Sequence, residues 1–295
     1  MRPLLVSLRE DDPLAQPLAV AIGGEVARRT LRRFPDGETY LRYDTPPARR
    51  SVVLLCSLDR PDDKTLPLLF AAATARDLGA ASVGLVSPYL AYMRQDRRFQ
   101  PGEAVTSSAF ARIISREVDW LVTVDPHLHR RSALSEIYTV PASVLHAASL
   151  LAEWIRANVE RPLLIGPDGE SAQWVAAVAK DVGCPSIVLE KTRHGDHDVE
   201  VSVPQVERWV GHTPVLVDDI VSTARTMIET IGHLTLAGMR PPVCVAVHGI
   251  FAGNAYQDLR AAGAARIVTS NTVPHESNLI DVAPLLAEAV RKQVA

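Results

Sequence analysis

The sequence is poor in aromatic residues, in cysteine and in net charge, and each shortage excludes a class of protein. Aromatic residues make up 5% of the 295 residues and the net charge is −3, so we expect neither a stacking surface nor a basic face for nucleic acid. The three cysteines, Cys56, Cys184 and Cys244, are far apart and form no CxxC pair, which argues against a disulfide framework or a zinc knuckle. We interpret them as reduced thiols of the core.

The sequence also lacks long apolar segments. None approaches the roughly 18 uncharged apolar residues that a membrane span needs, and Arg9, Glu10, Asp11 and Asp12 interrupt the region where a secretory signal has its apolar stretch. We expect no membrane partner and a cytoplasmic location. Because 47% of the residues are hydrophobic, the chain can fill one large or two ordinary cores, and small molecules are the expected partners.

Short apolar runs alternate with helical patterns along the chain, which is typical of an α/β fold. Continuous Val, Ile and Leu runs indicate parallel strands buried on both faces, and they start near residues 51, 81, 119, 161, 185, 213, 242 and 265. A weak repeat, ARDLGA at 75–80 and AKDVGC at 179–184, suggests two related halves in which each segment ends a helix with glycine. We therefore predict two similar doubly wound parallel-sheet domains, 1–143 and 144–295, and leave open whether the last helix packs on the first domain.

The stretch VLVDDIVSTARTMIE, at 215–229, runs from an apolar strand through two adjacent carboxylates into a helix. Thr226 and Glu229 fit the S/T-x-x-E capping box, which predicts a loop over 219–225 and a helix that begins at Met227 and stops at Gly238. The side chains predicted for its buried face are Met227, Ile228, Ile231 and Leu234.

A loop that leads into a helix N-terminus can bind a phosphate monoester through backbone N–H groups, nearby hydroxyls and the helix dipole. The two carboxylates, Asp218 and Asp219, suit the hydroxyls of a sugar diol or a magnesium ion instead. A sugar phosphate satisfies both halves of such a site. The alternative is an acidic helix entry with a chance capping box.

The same stretch resembles the ribose 5-phosphate loop shared by phosphoribosyltransferases and ribose-phosphate diphosphokinases, the enzymes that make phosphoribosyl pyrophosphate. The resemblance implies that Asp218 and Asp219 hold the ribose hydroxyls. It also implies that the 5-phosphate is bound by Ser222, Thr223, Ala224, Arg225 and Thr226. Many members have glycine where Arg225 stands, and its side chain either crowds the loop or turns toward the phosphate.

Two further segments resemble the ATP-binding segments of the diphosphokinases and so favour that group. RRFPDGETYLRY, at 32–43, supplies the residues that in the family reach the ATP of a neighbouring subunit, Phe34, Asp36 and Glu38. Residues 87–114 supply Arg94, Gln95 and Asp96. Without the resemblance, PDGE is a turn and RQDRR a solvated charge run. A shared ATP site implies a homo-oligomer, at least a dimer.

The segment VTVDPHLHR, at 122–130, ends a strand with an Asp-x-His-x-His pattern that has two interpretations. Such a pattern also begins amidohydrolase-type metal sites, for which His248 is the one plausible further ligand. In the diphosphokinases the matching histidine lies beside Mg-ATP, which implies that role for His127 and leaves the role of His129 open.

Two more stretches complete the resemblance. LLIGPDGES, at 163–171, is similar to a Pro-Asp turn whose carboxylate, here Asp168, binds magnesium near the ribose phosphate. IVLEKTRHGDHDVEVSVP, at 187–204, places Lys191 and Arg193 at the start of a charged loop, which resembles the family's catalytic loop and stabilises charge in phosphoryl transfer. A plain surface loop is the alternative for this segment.

With the closing segment at 270–292, the motifs occur in the order found in the family, and Ser222 and the EKTR loop are closest to its archaeal-like branch. The resemblance implies a Mg²⁺-dependent diphosphokinase that converts ATP and ribose 5-phosphate into phosphoribosyl pyrophosphate and AMP. The alternatives are a phosphoribosyltransferase, a non-catalytic regulatory homologue and a metallohydrolase.

Overall fold

The computed structural model describes residues 1–128, 130–166, 172–194, 198–202 and 206–295, with the backbone alone for residues 173, 190–194, 198–202, 206 and 207. Contacts within the chain divide it into two compact units. Unit 1 comprises Met1–Leu145, Thr272–Pro274 and Val282–Ala295, and unit 2 comprises His146–Asn271 and His275–Asp281.

Unit 1 is built around a parallel sheet. Its elements are β1 (Leu4–Ser7), α1 (Ala15–Ala21), β2 (Glu25–Val26), β3 (Arg29–Arg33), β4 (Thr39–Tyr43), β5 (Ser51–Leu55), α2 (Pro61–Asp77), β6 (Ser82–Ser87), α3 (Thr106–Glu117), β7 (Trp120–Val124), a 3₁₀ turn (Leu134–Glu136), β8 (Ala142–Leu145) and, from the end of the chain, α8 (Ala283–Val294). The sheet has the order β2-β1-β5-β6-β7-β8, and α8 packs against α1, β7 and β8.

Unit 2 repeats this plan. Its elements are α4 (Ala148–Asn158), β9 (Pro162–Gly166), α5 (Ala172–Val182), β10 (Ser186–Val188), β11 (Glu190–His194), β12 (Asp198–Ser202), a 3₁₀ turn (Val206–Trp209), β13 (Thr213–Val221), α6 (Arg225–Leu236), β14 (Val243–Gly249), α7 (Ala255–Ala261), β15 (Arg266–Ser270) and β16 (Asn278–Ile280). Its parallel sheet has the order β10-β9-β13-β14-β15-β16.

The predicted fold class, two doubly wound parallel sheets, is confirmed, and all eight apolar runs form strands. The two sheet orders become identical when β1 is matched to β9 and β5 to β13. In both units an antiparallel hairpin, β3–β4 or β11–β12, is inserted between the second and third strands. Each unit therefore presents one hairpin and one parallel sheet in the same chain order.

The sequence repeat that suggested two halves does not join equivalent helices. ARDLGA ends α2, which follows β5, whereas AKDVGC ends α5, which follows β9. The strand order instead matches α2 to α6 and α5 to α1. Both repeated segments do stop their helices with a left-handed glycine, Gly79 at φ 82° and Gly183 at φ 79°, so they share a helix-ending signal and not a common place in the fold.

Helix α2 begins with a left-handed residue, a proline and two acidic residues. Arg60, just before it, has φ 50° and ψ 62°, a left-handed conformation, and Pro61 then occupies the first helical position, where no N–H is needed. Asp62 and Asp63 complete an acidic first turn. At 17 residues α2 is the longest described helix, and within the described residues no helix is long and apolar enough to cross a membrane.

The core of unit 1 leaves no room for a side chain at Gly84. This residue lies on β6 directly opposite Trp120 on β7, and a Cβ built on Gly84 would fall inside the indole ring. Trp120 is 4% exposed, so the ring has little space to move. The glycine therefore makes space for the tryptophan on the neighbouring strand.

We expect Gly84→Ala to lower the free energy of unfolding by about 3 kcal/mol, because overpacked cores must shift. Gly232→Ala is the matched control: Gly232 lies within α6 with nothing within 4 Å of its added Cβ, so alanine should stabilise by about 0.5–1 kcal/mol. Urea-induced unfolding followed by circular dichroism measures both changes. Equal unfolding midpoints for the two variants would contradict this account of Gly84.

Candidate functional site

The two adjacent carboxylates lie within a strand and not in a loop. Strand β13 continues through Asp218 and Asp219 to Val221, and Asp218 and Ile220 are in register with Ala246 and His248 of β14. The predicted loop over 219–225 is therefore wrong for its first half. Ile220 and Val221 pair with His248 and Gly249 of β14 and extend the strand past the charges, since the parallel neighbour continues to supply backbone hydrogen bonds.

The helix begins earlier than predicted, at Arg225, and the capping box at Thr226 is wrong. Thr226 already lies inside the first turn, where its carbonyl accepts a hydrogen bond from the Thr230 hydroxyl at 2.8 Å. The N-cap is Ala224, which has no side chain that could cap. The predicted buried face is confirmed for Met227, Ile231 and Leu234, while Ile228 is partly buried, and Gly238 (φ 71°) follows the helix end as predicted.

The turn between strand and helix is only three residues long and is held tightly. Ala224 is left-handed, with φ 58° and ψ 6°, and its side chain is buried in the core of unit 2. The carbonyl of Val221 accepts hydrogen bonds from the N–H groups of Ile250 and Phe251, at 2.9 and 3.1 Å, and the carbonyl of Ser222 accepts one from Ala252 at 3.0 Å. The neighbouring loop therefore fixes the conformation of the turn.

An aromatic cluster supports that neighbouring loop. Phe251, itself at φ 42°, contacts Tyr256 and His275 with ring centroids 5.2 and 4.6 Å apart. Partial burial lowers the pKa of His275, and its ring nitrogen Nδ1 lies 2.9 Å from the Ser277 hydroxyl. In the sequence, residues 270–292 were assigned by resemblance alone. In the structure, His275 packs against the aromatic rings that support the loop next to the turn.

The start of α6 offers hydrogen-bond donors and no competing acid. Ile228 is the first residue whose N–H donates within the helix, to the carbonyl of Ala224 at 2.9 Å, so the N–H groups of residues 225–227 have no intrahelical acceptor. The first turn contains no acidic residue. Arg225 is exposed, and no carboxylate among the described residues pairs with its guanidinium. These donors, the hydroxyls of Ser222 and Thr223 and the positive end of the helix dipole suit an anion.

The carboxylates of Asp218 and Asp219 lie just before these donors and are half-buried. The N–H of Asp219 donates to Oδ1 of Asp218 at 2.9 Å. One oxygen of Asp218 is thus directed back to the backbone. The arrangement puts acceptor oxygens on the strand and donor groups at the helix start, which matches a ligand with hydroxyls at one end and a phosphate at the other.

In unit 1 the first predicted ATP segment forms the turn of the β3–β4 hairpin. The N–H of Phe34 donates to the carbonyl of Glu38 at 2.8 Å, and the N–H of Glu38 donates to Oδ1 of Asp36 at 3.2 Å. The guanidinium of Arg32 lies 4.7 Å from the centre of the Phe34 ring and 4.3 Å from that of Tyr40. Phe34 is 39% exposed, so its ring is available at the tip of the hairpin.

The second predicted ATP segment is anchored by two arginines that the sequence analysis did not consider. Asp96 has a side chain only 5% exposed and pairs with Arg130 at 3.3 Å. Arg131 donates to the carbonyl of Asp96 at 3.2 Å and to the Ser108 hydroxyl at 3.1 Å. The HLHRR pattern after β7 contains both arginines, but no local spacing rule links them to Asp96. Arg94 is exposed and Gln95 is half-buried.

The predicted residues near the ends of β7 and β14 differ in their burial. Asp125 is 9% exposed and left-handed, with φ 33°, and its N–H donates to the carbonyl of Leu145 at 2.8 Å. His127 is half-buried and His248 is 1% exposed. Within the described ranges, no three or more His, Cys, Asp or Glu side chains are grouped as a metal ligand set.

Four predicted side chains lie outside the described residues: His129, Asp168, Lys191 and Arg193. The backbone of the last two is described, however, and corrects one expectation. Residues Glu190–His194 form strand β11, paired antiparallel with β12, where a charged loop was predicted. Alternating Val199 and Val201 on β12 favour such a pairing.

Comparison with known proteins identifies the family. The model for the N-terminal domain of ribose phosphate pyrophosphokinase matches residues 4–117, and the phosphoribosyl transferase domain matches residues 133–285. The ribose-phosphate pyrophosphokinase of Methanopyrus kandleri is 35% identical over 97% of this chain and 98% of its own length. The chain belongs to the ribose-phosphate pyrophosphokinase family.

Two further comparisons agree with this assignment. The ribose-phosphate pyrophosphokinases of Methanosarcina acetivorans and Methanothermobacter thermautotrophicus are 34% and 31% identical, over 95% and 98% of this chain and 96% and 100% of their own lengths. These relatives are archaeal, as the loop sequences of this pyrophosphokinase family member indicated. The phosphoribosylpyrophosphate synthetase of Mycobacterium smegmatis has the same fold, with a TM-score of 0.87, 24% identity and 99% coverage of both chains.

The left-handed conformation of Ala224 gives a stability test of the turn. Ala224→Val should lower the free energy of unfolding by about 2–3 kcal/mol, because a β-branched side chain is strained at positive φ. Ala224→Gly should stay within about 1 kcal/mol of the parent, since relief of about 1–2 kcal/mol of strain is offset by about 0.8 kcal/mol for the lost buried methyl.

Ala237→Val is the matched control, because Ala237 has φ −80° and is exposed at the other end of α6. Thermal unfolding of the three variants is the measurement. If the valine at 224 unfolded at the same temperature as the valine at 237, the turn would have another conformation in solution.

Proposed function

We propose that the chain is a ribose-phosphate diphosphokinase that transfers the diphosphate of ATP to the C1 hydroxyl of ribose 5-phosphate, giving phosphoribosyl pyrophosphate and AMP for nucleotide synthesis. The observation that carries the proposal is the β13–α6 junction, where two carboxylates precede a fixed three-residue turn and a helix start rich in free donors. Membership of the pyrophosphokinase family supports it, and so do relatives of that name that match nearly the whole chain.

The junction suits ribose 5-phosphate through complementary hydrogen bonding. Asp218 and Asp219 accept from the ribose hydroxyls, while the donors at 222–226 bind the 5-phosphate. Arg225 adds a guanidinium at the same place, and a charge-assisted bond to phosphate is stronger than a neutral one. Its backbone is helical and not left-handed, so a glycine at 225 is not required for the conformation of this turn.

ATP binding is assigned to unit 1. The exposed Phe34 ring offers a stacking surface for adenine, and Asp36 and Glu38 offer acceptors for its amino group. Arg94, Gln95 and His127 are assigned to the phosphates and the nearby ribose, and Asp96 supports them through its pair with Arg130. Because the aromatic ring at the tip of the hairpin, Phe34, is exposed, we assign the tip to the ATP of a neighbouring subunit in a homo-oligomer.

Magnesium is the cofactor we assign, held by the ATP phosphates together with Asp168 and His127. A hard oxygen donor such as the Asp168 carboxylate suits Mg²⁺. The half-buried carboxylates of Asp218 and Asp219 add negative charge to unit 2, which supports the assignment of a cation there. When bound, Mg²⁺ neutralises negative charge on the triphosphate.

The protein contributes positioning and charge to the transfer. The C1 hydroxyl oxygen of the ribose attacks the β-phosphorus of ATP and releases its proton, the bond from that phosphorus to the α-phosphate oxygen breaks, and AMP leaves with that oxygen. We assign to Lys191 and Arg193 the stabilisation of the negative charge that develops on the transferred group. Preorganised cations stabilise such charge best in a site that excludes water. Asp218 and Asp219, which bind the ribose hydroxyls, hold the ribose so that its C1 oxygen is in line with the bond that breaks.

The proposal is tested by AMP formation from ATP and ribose 5-phosphate in the presence of Mg²⁺. Lys191→Ala should reduce kcat by about 10²–10³-fold, the usual cost of one preorganised charge donor. Lys180→Ala, which removes an exposed lysine at the end of α5, is the control and should keep the parent rate. Removal of Mg²⁺ with EDTA should abolish the activity, and its return should restore it.

Four outcomes would each contradict the proposal. Full AMP formation by Lys191→Ala would contradict the mechanism. Binding of both substrates without turnover by the parent protein, together with co-purification of an active homologue, would indicate a non-catalytic regulatory role. Binding of phosphoribosyl pyrophosphate and a base, without ATP binding, would indicate a phosphoribosyltransferase, and tightly bound zinc a metallohydrolase.

The role of Arg225 gives a second kinetic test. Arg225→Ala should raise the KM for ribose 5-phosphate by about 10–100-fold with little change in kcat, because one charged contact to phosphate is lost in ground and transition states alike. Arg225→Lys should lose less, since it keeps the charge without the planar fork.

Arg240→Ala, at an exposed position beyond α6, serves as the control. The decisive comparison is with Arg225→Gly. If that variant increased kcat/KM for ribose 5-phosphate, the guanidinium would be crowding the loop and not binding the phosphate.

A further inference from the structure

Unit 1 has a cavity at the place where unit 2 has its sugar-phosphate site. In a doubly wound sheet, ligands bind beyond the carboxyl ends of the strands where the strand order reverses. That point lies between β9 and β13 in unit 2 and, by the same order, between β1 and β5 in unit 1. A cavity of about 230 Å³ lies there in unit 1, bounded by the residues after β1, the loop after β5 and the part of the β3–β4 hairpin next to its turn.

The cavity differs chemically from its counterpart. Its inner wall is apolar, formed mainly by Leu8, Leu14, Leu31, Leu55, Pro67 and Pro88. The helix that begins beside it, α2, has a proline at its first position and two aspartates in its first turn, so it offers fewer N–H donors and repels a phosphate. A second sugar-phosphate site is therefore excluded at this position.

Most charges around the cavity are already neutralised. Lys64 donates to Oδ1 of Asp59 at 2.5 Å and to the carbonyl of Ser57 at 2.8 Å. Arg33 pairs with Asp63 at 3.6 Å. The loop after β5 thus satisfies its own charges internally.

Asp12 is also engaged. Its two oxygens accept hydrogen bonds from the Ser7 hydroxyl at 2.8 Å and from the N–H of Leu14 at 3.1 Å. The guanidinium groups of Arg9 and Arg32 remain, and neither has a carboxylate partner among the described residues. The cavity is therefore lined by an apolar wall and by two cations without a carboxylate partner, of which Arg32 also stacks on the rings of Phe34 and Tyr40.

We propose that this cavity is a second binding site, one that takes a small organic anion with an apolar body and a single acidic group. The apolar body would lie against the leucines and prolines, and the acidic group would pair with Arg9 and Arg32 at the rim. A carboxylate or sulfonate suits two guanidiniums as well as a phosphate does, and it avoids the acidic first turn of α2.

An occupant would touch both the sheet and the hairpin. Leu31, Arg32, Arg33 and Thr39 lie on the hairpin strands next to the turn, while Leu55 ends β5 and Cys56 follows it. The tip of the same hairpin carries Phe34, Asp36 and Glu38. This consequence rests on the proposed function: an occupant that holds the hairpin should change the KM for ATP and leave the KM for ribose 5-phosphate unchanged.

Binding is measured first, without turnover, by calorimetric titration of the full chain with benzenesulfonate, and with benzyl alcohol as the uncharged probe. We expect benzenesulfonate to bind with a Kd of about 1 mM or tighter, and benzyl alcohol at least tenfold more weakly. Arg9→Gln should weaken benzenesulfonate about tenfold. Arg116→Gln, which removes an exposed arginine on α3 away from the cavity, should leave it unchanged.

A second variant tests whether binding needs the volume of the cavity, without a change of charge. Leu8→Trp, at a half-buried position of the cavity wall, should abolish binding of both probes, with circular dichroism as the check that it is folded. Saturating ribose 5-phosphate should not displace benzenesulfonate.

The proposal is overturned if benzenesulfonate does not bind, binds Arg9→Gln as tightly as the parent, or is displaced by ribose 5-phosphate. These outcomes concern binding alone, so an absence of AMP formation would refute the proposed reaction without affecting this site. Binding without any effect on the KM for ATP would keep the site and refute its link to the hairpin.

Discussion

The parallel pairing of β9 with β13, and of β1 with β5, is the constraint on which the ligand chemistry of both units depends. Leu216 is in register with Ile165, and Val6 with Leu54, so the carboxyl ends of each pair finish at one edge of the sheet. The chain leaves the two strands in opposite directions from that edge, and no crossover covers the gap between them. Polar residues placed immediately after these strands must therefore face an open crevice, whatever the rest of the sequence does.

The two crevices show how one backbone plan can give different sites. Both helices that start there follow a left-handed non-glycine residue, Arg60 in unit 1 and Ala224 in unit 2. Beyond that residue the sequences diverge: Pro61 and two aspartates reduce anion binding at α2, whereas α6 begins with no acid and with free N–H groups. The hairpins diverge in the same way, since each lies between the second and third strands of its unit but carries different side chains. Two units with the same strand order can thus carry different binding segments, which we assign to ATP in unit 1 and to the sugar phosphate in unit 2.

The sequence was sufficient for the features that depend on composition over several residues. Runs of Val, Ile and Leu located all eight predicted strands because parallel strands buried on both faces need such runs. The sheet strands that were not predicted, β1, β2, β8 and β16, are only two to four residues long and carry too short a pattern. The capping box failed because strand pairing by Ile220 and Val221, together with hydrogen bonds from residues 250–252, moved the helix start to Arg225. The pair of Asp96 with Arg130 was missed because it joins residues 34 positions apart.

Arg225 shows why the site is better understood from its electrostatics than from the residue that usually stands there. A cation in the first turn of a helix faces the positive end of the dipole, at a cost of about 0.3–1 kcal/mol, and no acidic residue of that turn offsets it. The cost persists for the protein alone, because the guanidinium has no carboxylate partner among the described residues. A dianion bound at the helix start would turn this cost into a stabilisation. The helix dipole, the free N–H groups and the guanidinium would then all face negative charge. The placement of Arg225, unfavourable without a ligand, thus supports the proposal that this helix start binds a phosphate.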